Sequence, residues 1–425
     1  MKYLPTLAAV CLLIGPSVGI AQQISPNPNL VGNTITVDTP TYYNWGDNTD
    51  HFANAGSINI TSSGQLENRA DLTNWAILTN GPTGVISIEG KFLNKRFGGS
   101  LANLNNEGVV NVQGLIDNSG WIRNYIGATL TNETDGWINN DGHLNNDGSL
   151  ISNSGLVNKG TLINEGHGTL KNNSGLTNTG TLTNYGVAVN NDTVDIYEGT
   201  LTNYSTFFNH NDMTNYGTLV NDVYVEASGA LINNGTLTNQ SGGTLTNNGT
   251  IDTTNGTFTN YGTLNGDGKI VGKHSDYGVT SPGNSAGVMK IDGDYFKVEG
   301  SHEIELGGLF DGGGDKSLTE YDWLDVTGNV ELAGELEVKL IGGFKLHRGN
   351  VFEFLRVGGT LSGQYEGLGE GDLVGNFGGQ DLFISYGGMG DGGGVALFTN
   401  VVPEPTTVLI WSMLAGLGVT VRRRR

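Results

Sequence analysis

The chain has 425 residues, of which 69 are glycine and 49 are asparagine, and 39 of those asparagines fall between positions 51 and 270. The formal net charge is -21, and residues 22–400 carry 41 acidic against 16 basic side chains. Nucleic-acid binding needs basic surface that neutralises phosphate, so this balance excludes a nucleic-acid partner. The hydrophobic fraction of 36% argues against a large compact core but allows a thin, elongated one. Cys11 is the only cysteine, which rules out an internal disulfide.

The first residues have the composition of a secretory signal peptide. Lys2 provides a positive charge, residues 4–14 form an apolar stretch, and Gly19 and Ala21 are small enough for the positions that a signal peptidase reads. We therefore predict that residues 1–21 are a signal peptide, which signal peptidase removes after Ala21. The protein would then be exported across the inner membrane.

The other end has the composition of a membrane segment. Residues 406–421 carry no charge, and as an α-helix these 16 residues would be about 24 Å long, slightly short of a typical membrane span. Basic residues beside a membrane helix stay on the cytoplasmic side. We predict a single C-terminal transmembrane helix that holds the precursor in the inner membrane, followed by a cytoplasmic cluster of Arg422, Arg423, Arg424 and Arg425.

The order of features in residues 401–425 is more specific than a membrane anchor requires. Pro403, Glu404 and Pro405 precede the apolar run, and the arginine cluster ends the chain. This arrangement resembles the PEP-CTERM sorting signal of Gram-negative-type bacteria, in which exosortase recognises the Pro-Glu-Pro segment and cleaves the protein from its helix. The resemblance implies exosortase as a partner, a final location at the cell surface or in the extracellular matrix, and no catalytic residue in this segment. An ordinary tail anchor is the alternative.

Residues 51–272 repeat a short motif. The unit N-x-G-T-L-T occurs as NKGTLI at 158–163, NTGTLT at 178–183, NYGTLV at 215–220 and NYGTLN at 260–265. The apolar residues also align in three files with a common spacing of about 19 residues. The first file is Leu144, Leu162, Leu182, Leu201, Leu219, Leu237 and Phe258; the second is Leu150, Leu170, Val189, Phe207, Val225, Leu245 and Leu264; the third is Leu156, Leu176, Ile196, Met213, Leu231, Ile251 and Ile270.

Three files with one period predict a parallel β-solenoid, or β-helix, of about twelve coils with about 19 residues each. Within T-L-T the leucine points inward and the threonines outward, because side chains alternate along a strand. We expect asparagine and glycine to turn the corners with left-handed backbone, and stacked asparagines to form amide ladders. Disorder, the alternative that this composition suggests, gives no reason for the files. Residues 22–50 are expected to form an N-terminal cap with Tyr42, Tyr43 and Trp45.

Residues 273–400 lose the asparagine repeat and gain longer, more acidic strands. HEIELGGLF, VFEFLRV and LFISYGG alternate apolar and polar residues, so the predicted fold class is all-β here as well. The segments SPGNSAGVMKIDGDY (281–295) and YDWLDVTGNVELAGELEVKL (321–340) are similar to the end of the passenger region in autotransporter-like adhesins. That resemblance implies a surface-exported solenoid. We expect wider coils that continue the solenoid, with a small sandwich as the alternative.

No residue pattern predicts a catalytic, cofactor or metal site. The 18 acidic and 8 basic residues of 51–272 are dispersed singly, whereas a polysaccharide-degrading site on a β-helix needs clustered carboxylates. Asp292 with Asp294, and Asp311 with Asp315, suit either a weak calcium site or solvated glycine-rich turns.

The sequence therefore favours an exported structural or adhesive protein, with extracellular polysaccharide as a partner. A β-helix enzyme that degrades polysaccharide is one alternative. Another is an ice- or carbohydrate-binding solenoid that uses threonine pairs, one per coil, which the repeat places on one outer face. These pairs, which strand propensity alone also explains, are Thr181/Thr183, Thr200/Thr202, Thr236/Thr238 and Thr257/Thr259.

Overall fold

The structure, a computed structural model, describes residues 29–38, 51–61, 64–96, 102–224, 227–283, 285–313, 318–387 and 393–399. The predicted signal peptide, the aromatic residues of the predicted cap and the predicted sorting segment lie outside these ranges. Every secondary-structure element in the described ranges is a β-strand, which confirms the all-β fold class. Contacts divide the chain into two compact units between Val279 and Thr280.

The first unit is a parallel β-solenoid of about twelve turns, as predicted, and each turn visits sheet 1, sheet 2 and sheet 3 in that order. Sheet 1 contains Gln65–Asn68, Val85–Ile88, Val109–Val112, Thr129–Asn132, Ser149–Ser152, Thr169–Asn172, Val187–Asn190, Thr206–Asn209, Ala230–Asn233, Thr250–Asp252 and Lys269–Val271. Sheet 2 contains His51–Asn54, Asp71–Asn74, Lys91–Asn94, Leu115–Asn118, Trp137–Asn140, Gly155–Asn158, Leu176–Asn178, Thr193–Ile196, Asp212–Asn215, Thr236–Asn239, Thr257–Asn260 and His274–Asp276. Sheet 3 contains Thr34–Val37, Ser57–Ile60, Ile77–Asn80, Asn103–Asn106, Trp121–Asn124, His143–Asn146, Thr161–Asn164, Thr181–Asn184, Thr200–Asn203, Thr218–Asn221, Thr244–Asn247 and Thr263–Gly266.

Alternation along each strand decides which side chains enter the core. In Thr181–Asn184, Leu182 and Asn184 are buried, whereas the two threonines face outward. Neighbouring turns pair in register, so Leu182 lies beside Leu162 on one side and Leu201 on the other. Removal of a leucine side chain from water contributes about 2 kcal/mol, and the T-L-T pattern repeats this gain from turn to turn.

The apolar files follow the prediction through the middle turns and then change partners. Leu219 of sheet 3 lies beside Leu245, so the predicted step from Leu219 to Leu237 is wrong. The hairpin of Val223–Tyr224 and Ala227–Ser228 lengthens this turn. The prediction assumed a constant period and therefore assigned the extra residues to a strand. Val225, which lies outside the described residues, was assigned a core position in that strand. Every later apolar residue was consequently placed in the wrong sheet.

Two earlier positions were also misassigned, by one or two residues. The inward residue is Ala188 rather than Val189, and Val194 rather than Ile196 holds the file position. The observed files are Leu144, Leu162, Leu182, Leu201, Leu219, Leu245 and Leu264 in sheet 3; Leu150, Leu170, Ala188, Phe207, Leu231, Ile251 and Ile270 in sheet 1; and Leu156, Leu176, Val194, Met213, Leu237, Phe258 and His274 in sheet 2.

The last residue of most strands is a buried asparagine, and these asparagines form hydrogen-bonded ladders along the solenoid. The Nδ2 of Asn146 donates to the Oδ1 of Asn164, and its Oδ1 accepts from the Nδ2 of Asn124, both at 2.7 Å. The same Nδ2 donates to the backbone carbonyl of Thr169 at 3.0 Å. These contacts confirm the predicted amide ladders. The sheet 3 ladder is unbroken through nine asparagines: Asn80, Asn106, Asn124, Asn146, Asn164, Asn184, Asn203, Asn221 and Asn247.

An apolar residue at the ladder position interrupts a ladder. In sheet 2 the ladder stops at Asn178, because Ile196 occupies the next position, and it resumes from Asn215. In sheet 3 the ladder begins at Asn80, because Ile60 occupies the equivalent position in the preceding turn. The Oδ1 of Asn80 is buried without a hydrogen-bond partner in the described part of the chain. Each ladder therefore has a direction, with amide N–H groups pointing toward the C-terminal turns.

Glycine occupies the corners for a different reason than the one predicted. Gly160 does not have a positive φ, and neither do the ladder asparagines. A Cβ on Gly160 would overlap the carbonyl oxygen of Gly142 in the preceding turn, and a Cβ on Gly180 would overlap that of Gly160. The prediction of left-handed backbone is therefore wrong at these corners, where close stacking of successive turns selects glycine.

The second unit also begins with parallel turns, but wider ones. Val288 lies beside Trp323, Tyr295 beside Val330 and Ser301 beside Glu335. Antiparallel strand pairs follow in the rest of this unit. Its strands, after Val279–Pro282 at the division between units, are Val288–Asp292, Tyr295–Lys297, Ser301–Asp311, Thr319–Tyr321, Trp323–Val326, Val330–Leu332, Glu335–Leu340, Val351–Val357, Leu361–Gly363, Leu373–Phe377, Gln380–Ser385 and Gly393–Thr399.

Replacement of a ladder asparagine should destabilise the first unit strongly. Asn146→Ala removes an acceptor from Asn124 and a donor from Asn164, and both groups are buried. We expect a loss of about 3 kcal/mol, measured by urea unfolding followed by circular dichroism. The control is Asn191→Ala, an exposed residue with one side-chain bond to Asn173, which should change stability by less than about 0.5 kcal/mol. Equal unfolding midpoints for the two variants would contradict the role of the ladder.

A second pair of variants tests the close stacking at the corners. Gly160→Ala places a Cβ against the backbone of the preceding turn and should cost more than about 3 kcal/mol. Gly166→Ala is the matched control, because a Cβ there meets no atom within 4 Å and φ is not positive. The thermal unfolding midpoint should fall steeply only for the first variant; a similar midpoint for both would show that the corner has room.

Candidate functional site

A column of tyrosines follows the outer corner between sheets 2 and 3. Each tyrosine comes directly after the last residue of a sheet 2 strand, and its backbone N–H donates to a carbonyl of the preceding turn: Tyr261 to Asn239 and Tyr277 to Asn260. We call this set the tyrosine column; it consists of Tyr197, Tyr216, Tyr261 and Tyr277, with Gln240 in the turn between Tyr216 and Tyr261.

The tyrosine rings stack in two pairs. The ring centroids of Tyr197 and Tyr216 are 4.9 Å apart at an interplanar angle of 10°, and those of Tyr261 and Tyr277 are 5.0 Å apart at 24°. At these separations aromatic rings are offset, so part of each face stays uncovered. Tyr197 and Tyr216 are each 42% exposed and Tyr261 is 44% exposed. Aligned exposed aromatic side chains are typical of a binding surface.

Threonine hydroxyl groups flank the column on both sides. In sheet 2, Thr236–Asn239 pairs in register with Thr257–Asn260, so their outward threonines are adjacent. In sheet 3, Thr181–Asn184 pairs in the same way with Thr200–Asn203. The threonine pairs thus lie on two faces, and their predicted placement on a single face, as the ice-binding alternative required, is wrong. The shifted files after Asn221 explain the error.

A second tyrosine cluster lies at the corner between sheets 3 and 1. Tyr185 and Tyr204 stack at 5.1 Å, and Tyr224 of the hairpin contacts both rings, at 5.1 and 5.4 Å. Tyr185 and Tyr204 are half-buried. Burial, with the neighbouring phenols, raises the pKa of Tyr185. This cluster attaches the hairpin to the solenoid and differs in that respect from the tyrosine column.

Acidic side chains lie at the beginning of the tyrosine column. Asp195 is on the sheet 2 strand that precedes Tyr197, and Asp212 is in the next turn. Burial and the charge of Asp212 raise the pKa of Asp195. The charge of Asp195, followed by partial burial, raises the pKa of the Tyr197 phenol. The Tyr197 hydroxyl therefore stays protonated at neutral pH and can donate a hydrogen bond.

The carboxylate pairs considered for calcium have other partners. Asp292 accepts from the hydroxyl of Thr327 at 3.0 Å, and Asp294 accepts from the backbone N–H of Asn329 at 2.7 Å. Asp311 forms an ion pair with Arg356 at 2.6 Å, and Asp315 lies outside the described residues. Across the described ranges, no group of three or more His, Cys, Asp or Glu side chains is placed to hold a metal ion.

The residues predicted for export and sorting lie outside the described residues, so the structure does not bring them together or separate them. None of the elements in the described ranges is a helix with the length and apolar character that a membrane crossing requires. The residues concerned are Ala21, Pro403, Glu404, Pro405, Arg422, Arg423, Arg424 and Arg425.

No protein-family model and no curated protein matches the chain. The tyrosine column therefore depends on geometry alone. Sequence reasoning missed it, although a signal was present in the NYG segments at 215–217 and 260–262. The asparagine that ends each strand faces inward, so the residue after it faces outward at the corner. The outward position of these tyrosines can be inferred only once the inward position of the asparagines is known.

One buried carboxylate gives the second unit a pH-dependent stability. The Oδ1 of Asp322 accepts the backbone N–H of Gly287 at 2.7 Å, and its Oδ2 accepts that of Glu305 at 2.9 Å. Burial raises the pKa of Asp322 to about 7, although the two N–H donors act in the opposite direction. An unfolded aspartate has a pKa of about 3.9. Between these values the folded state binds a proton that the unfolded state does not, so stability falls as pH rises through this window.

Asp322→Asn should remove this pH dependence, because an amide does not titrate in this range. For the wild type, the free energy of unfolding should fall by up to about 4 kcal/mol between about pH 4 and pH 7. The measurement is urea unfolding at several pH values, with Asp325→Asn as a neighbouring control that should keep the wild-type profile. Identical slopes for wild type and Asp322→Asn would contradict the assignment.

Proposed function

We propose that the chain is an exported bacterial protein of the cell surface or extracellular matrix, with a structural and adhesive role. A signal peptide that ends at Ala21 directs it across the inner membrane. Residues 406–421 then hold it as a transmembrane helix, with the arginine cluster in the cytoplasm. Exosortase recognises Pro403, Glu404 and Pro405 and releases the body, which binds extracellular polysaccharide and has no catalytic activity of its own.

The observation that carries the adhesive part of this proposal is the tyrosine column. Three of its four tyrosines are exposed and Tyr277 is half-buried, and the rings are stacked in pairs and flanked by hydroxyl groups on a unit whose outer strand positions repeat from turn to turn. Exposed aromatic and hydroxyl side chains together suit a polar, non-ionic polymer better than an apolar partner. Carbohydrate binding is favoured over ice binding because the threonine pairs are divided between two sheets.

The interior supports a structural role. The asparagine ladders supply one hydrogen bond per turn at the corners they occupy, and these bonds restrain the first unit without a disulfide. Because each ladder bond joins consecutive turns, the outward residues keep a fixed spacing. The sorting part rests on the sequence features of residues 401–425.

The sorting proposal predicts a processed C-terminus. In the producing cells, intact-mass analysis of the surface and matrix fractions should find a chain that lacks Arg425. Replacement of Pro403, Glu404 and Pro405 by alanine should leave the protein unprocessed in the inner-membrane fraction, because the recognition segment is lost.

Thr406→Ala with Thr407→Ala is the matched control, since it changes the adjacent residues and leaves the motif intact; this variant should be processed normally. Arg425 found on the surface protein, or normal processing of the triple alanine variant, would contradict exosortase sorting.

A further inference from the structure

We propose that the tyrosine column is the binding site for a neutral, extended polysaccharide that lies along the outer corner between sheets 2 and 3. This inference deepens the proposed function, on which it rests, by naming the surface and the chemical class of the ligand. It uses Tyr197, Tyr216, Tyr261 and Tyr277, with the threonines of both flanking sheets.

The ring geometry favours a polymer over a single sugar. Within each stacked pair the ring centroids are 4.9 or 5.0 Å apart, and the turn of Gln240 separates the two pairs, so ring faces and phenol hydroxyls are spread over five successive turns. A sugar ring presents C–H groups that pack on aromatic faces and hydroxyl groups that bond to phenols. One sugar covers only one step of the column. A chain of sugars aligned with the axis covers all of it.

Gln240 contributes a polar position in the middle of the column. It holds the turn between Tyr216 and Tyr261, where its backbone N–H donates to the carbonyl of Asn215. Its half-buried side chain carries an amide with both a donor and an acceptor. The column therefore has two aromatic pairs separated by a hydrogen-bonding step, which suits a ligand with alternating apolar ring faces and hydroxyl groups.

The flanking faces add further hydroxyl groups. Thr238 and Thr259 of sheet 2 lie just before the corner, and Thr200 and Thr244 of sheet 3 lie just after it; all four face outward and are partly exposed. A threonine hydroxyl both donates and accepts, so it can bond to a sugar hydroxyl in either orientation. A polymer on the column would thus find hydrogen-bonding groups on both sides.

Charge selects a neutral polymer over an acidic one. The chain has a formal net charge of -21, and Asp195 and Asp212 lie beside the first tyrosine of the column. An anionic polysaccharide would meet like charge there, which disfavours its approach. A neutral polysaccharide meets no such repulsion.

The test is affinity gel electrophoresis of the full-length chain in a mild detergent, with neutral hydroxyethyl cellulose, glucomannan and xyloglucan, and with acidic alginate and polygalacturonate. The wild type should be retarded by at least one neutral polymer and by neither acidic polymer. Loss of four stacking side chains should weaken retardation by at least about tenfold. The variant carries Tyr197→Ala, Tyr216→Ala, Tyr261→Ala and Tyr277→Ala.

Two matched controls separate binding from folding. Tyr185→Ala with Tyr204→Ala removes stacked tyrosines at the other corner and should leave retardation unchanged. Tyrosine-to-phenylalanine changes at the four column positions keep the rings and should retain most of the affinity. The column alanine variant should keep the wild-type circular dichroism spectrum and a single unfolding transition, at a midpoint only slightly lowered by the loss of the two stacked pairs, because the buried apolar files and ladders are unchanged.

The outcomes are distinct from those of the sorting test. No retardation by any neutral polymer, stronger retardation by the acidic polymers, or an equal loss in both alanine variants would overturn the column as the site. If the exported fraction is processed as proposed but the column variant binds normally, only the present inference falls. If the column binds neutral polymer but the tail is never processed, only the sorting proposal falls.

Discussion

The hydrogen bond between one buried asparagine and the next is the interaction on which the first unit depends. A primary amide has two N–H groups and one carbonyl oxygen, and the ladder uses them in two directions. In the case of Asn146, one bond goes to Asn164 along the axis and another to the backbone carbonyl of Thr169. An apolar residue of similar size can fill the corner, as Ile196 does, but it cannot satisfy that carbonyl or the neighbouring amides. Asparagine therefore joins successive turns and satisfies the corner backbone at once.

The same constraint explains the sequence composition. Glycine follows the ladder because the corner leaves no space for a Cβ beside the previous turn, as at Gly160 and Gly180. Threonine and leucine alternate because each short strand between corners has one face toward solvent and one face toward the core. An ordered core of this kind stays thin, which agrees with the hydrophobic fraction of 36%. The ladder amides supply the interior contacts that a thicker core would obtain from apolar side chains.

The fold could be predicted from sequence to the level of sheets and turns, because the period of the leucines is set by the path of the chain around one turn. Leu144, Leu162, Leu182 and Leu201 were placed correctly for that reason. The prediction from periodicity was wrong at Leu237. The hairpin before it adds residues to the turn without adding a strand to any of the three sheets, and a constant period does not allow for such an insertion. The corner glycines were predicted for the wrong reason, because crowding between turns is a tertiary effect that is not visible within one repeat.

The tyrosine column escaped sequence reasoning for a related cause. Tyr197 and Tyr216 are 19 positions apart, but Tyr216 and Tyr261 are separated by two turns, one of them lengthened by the hairpin. Only the register of the strands shows that Tyr197, Tyr216, Tyr261 and Tyr277 share one corner. For the sorting features the situation is reversed. Pro403, Glu404 and Pro405 form a motif that is recognisable in the sequence, but they lie outside the residues that the structure describes.

Hydrogen exchange of asparagine side-chain amides, measured by NMR on protein labelled with ¹⁵N-asparagine, tests the ladder most directly. Each ladder N–H is hydrogen-bonded and shielded between turns, whereas an exposed asparagine such as Asn191 is accessible to water. We expect the side-chain amides of Asn146, Asn164 and Asn184 to exchange at least about a hundredfold more slowly than that of Asn191. Equal exchange rates for the two groups would contradict this expectation, and the turns would then be held together by something other than the ladder.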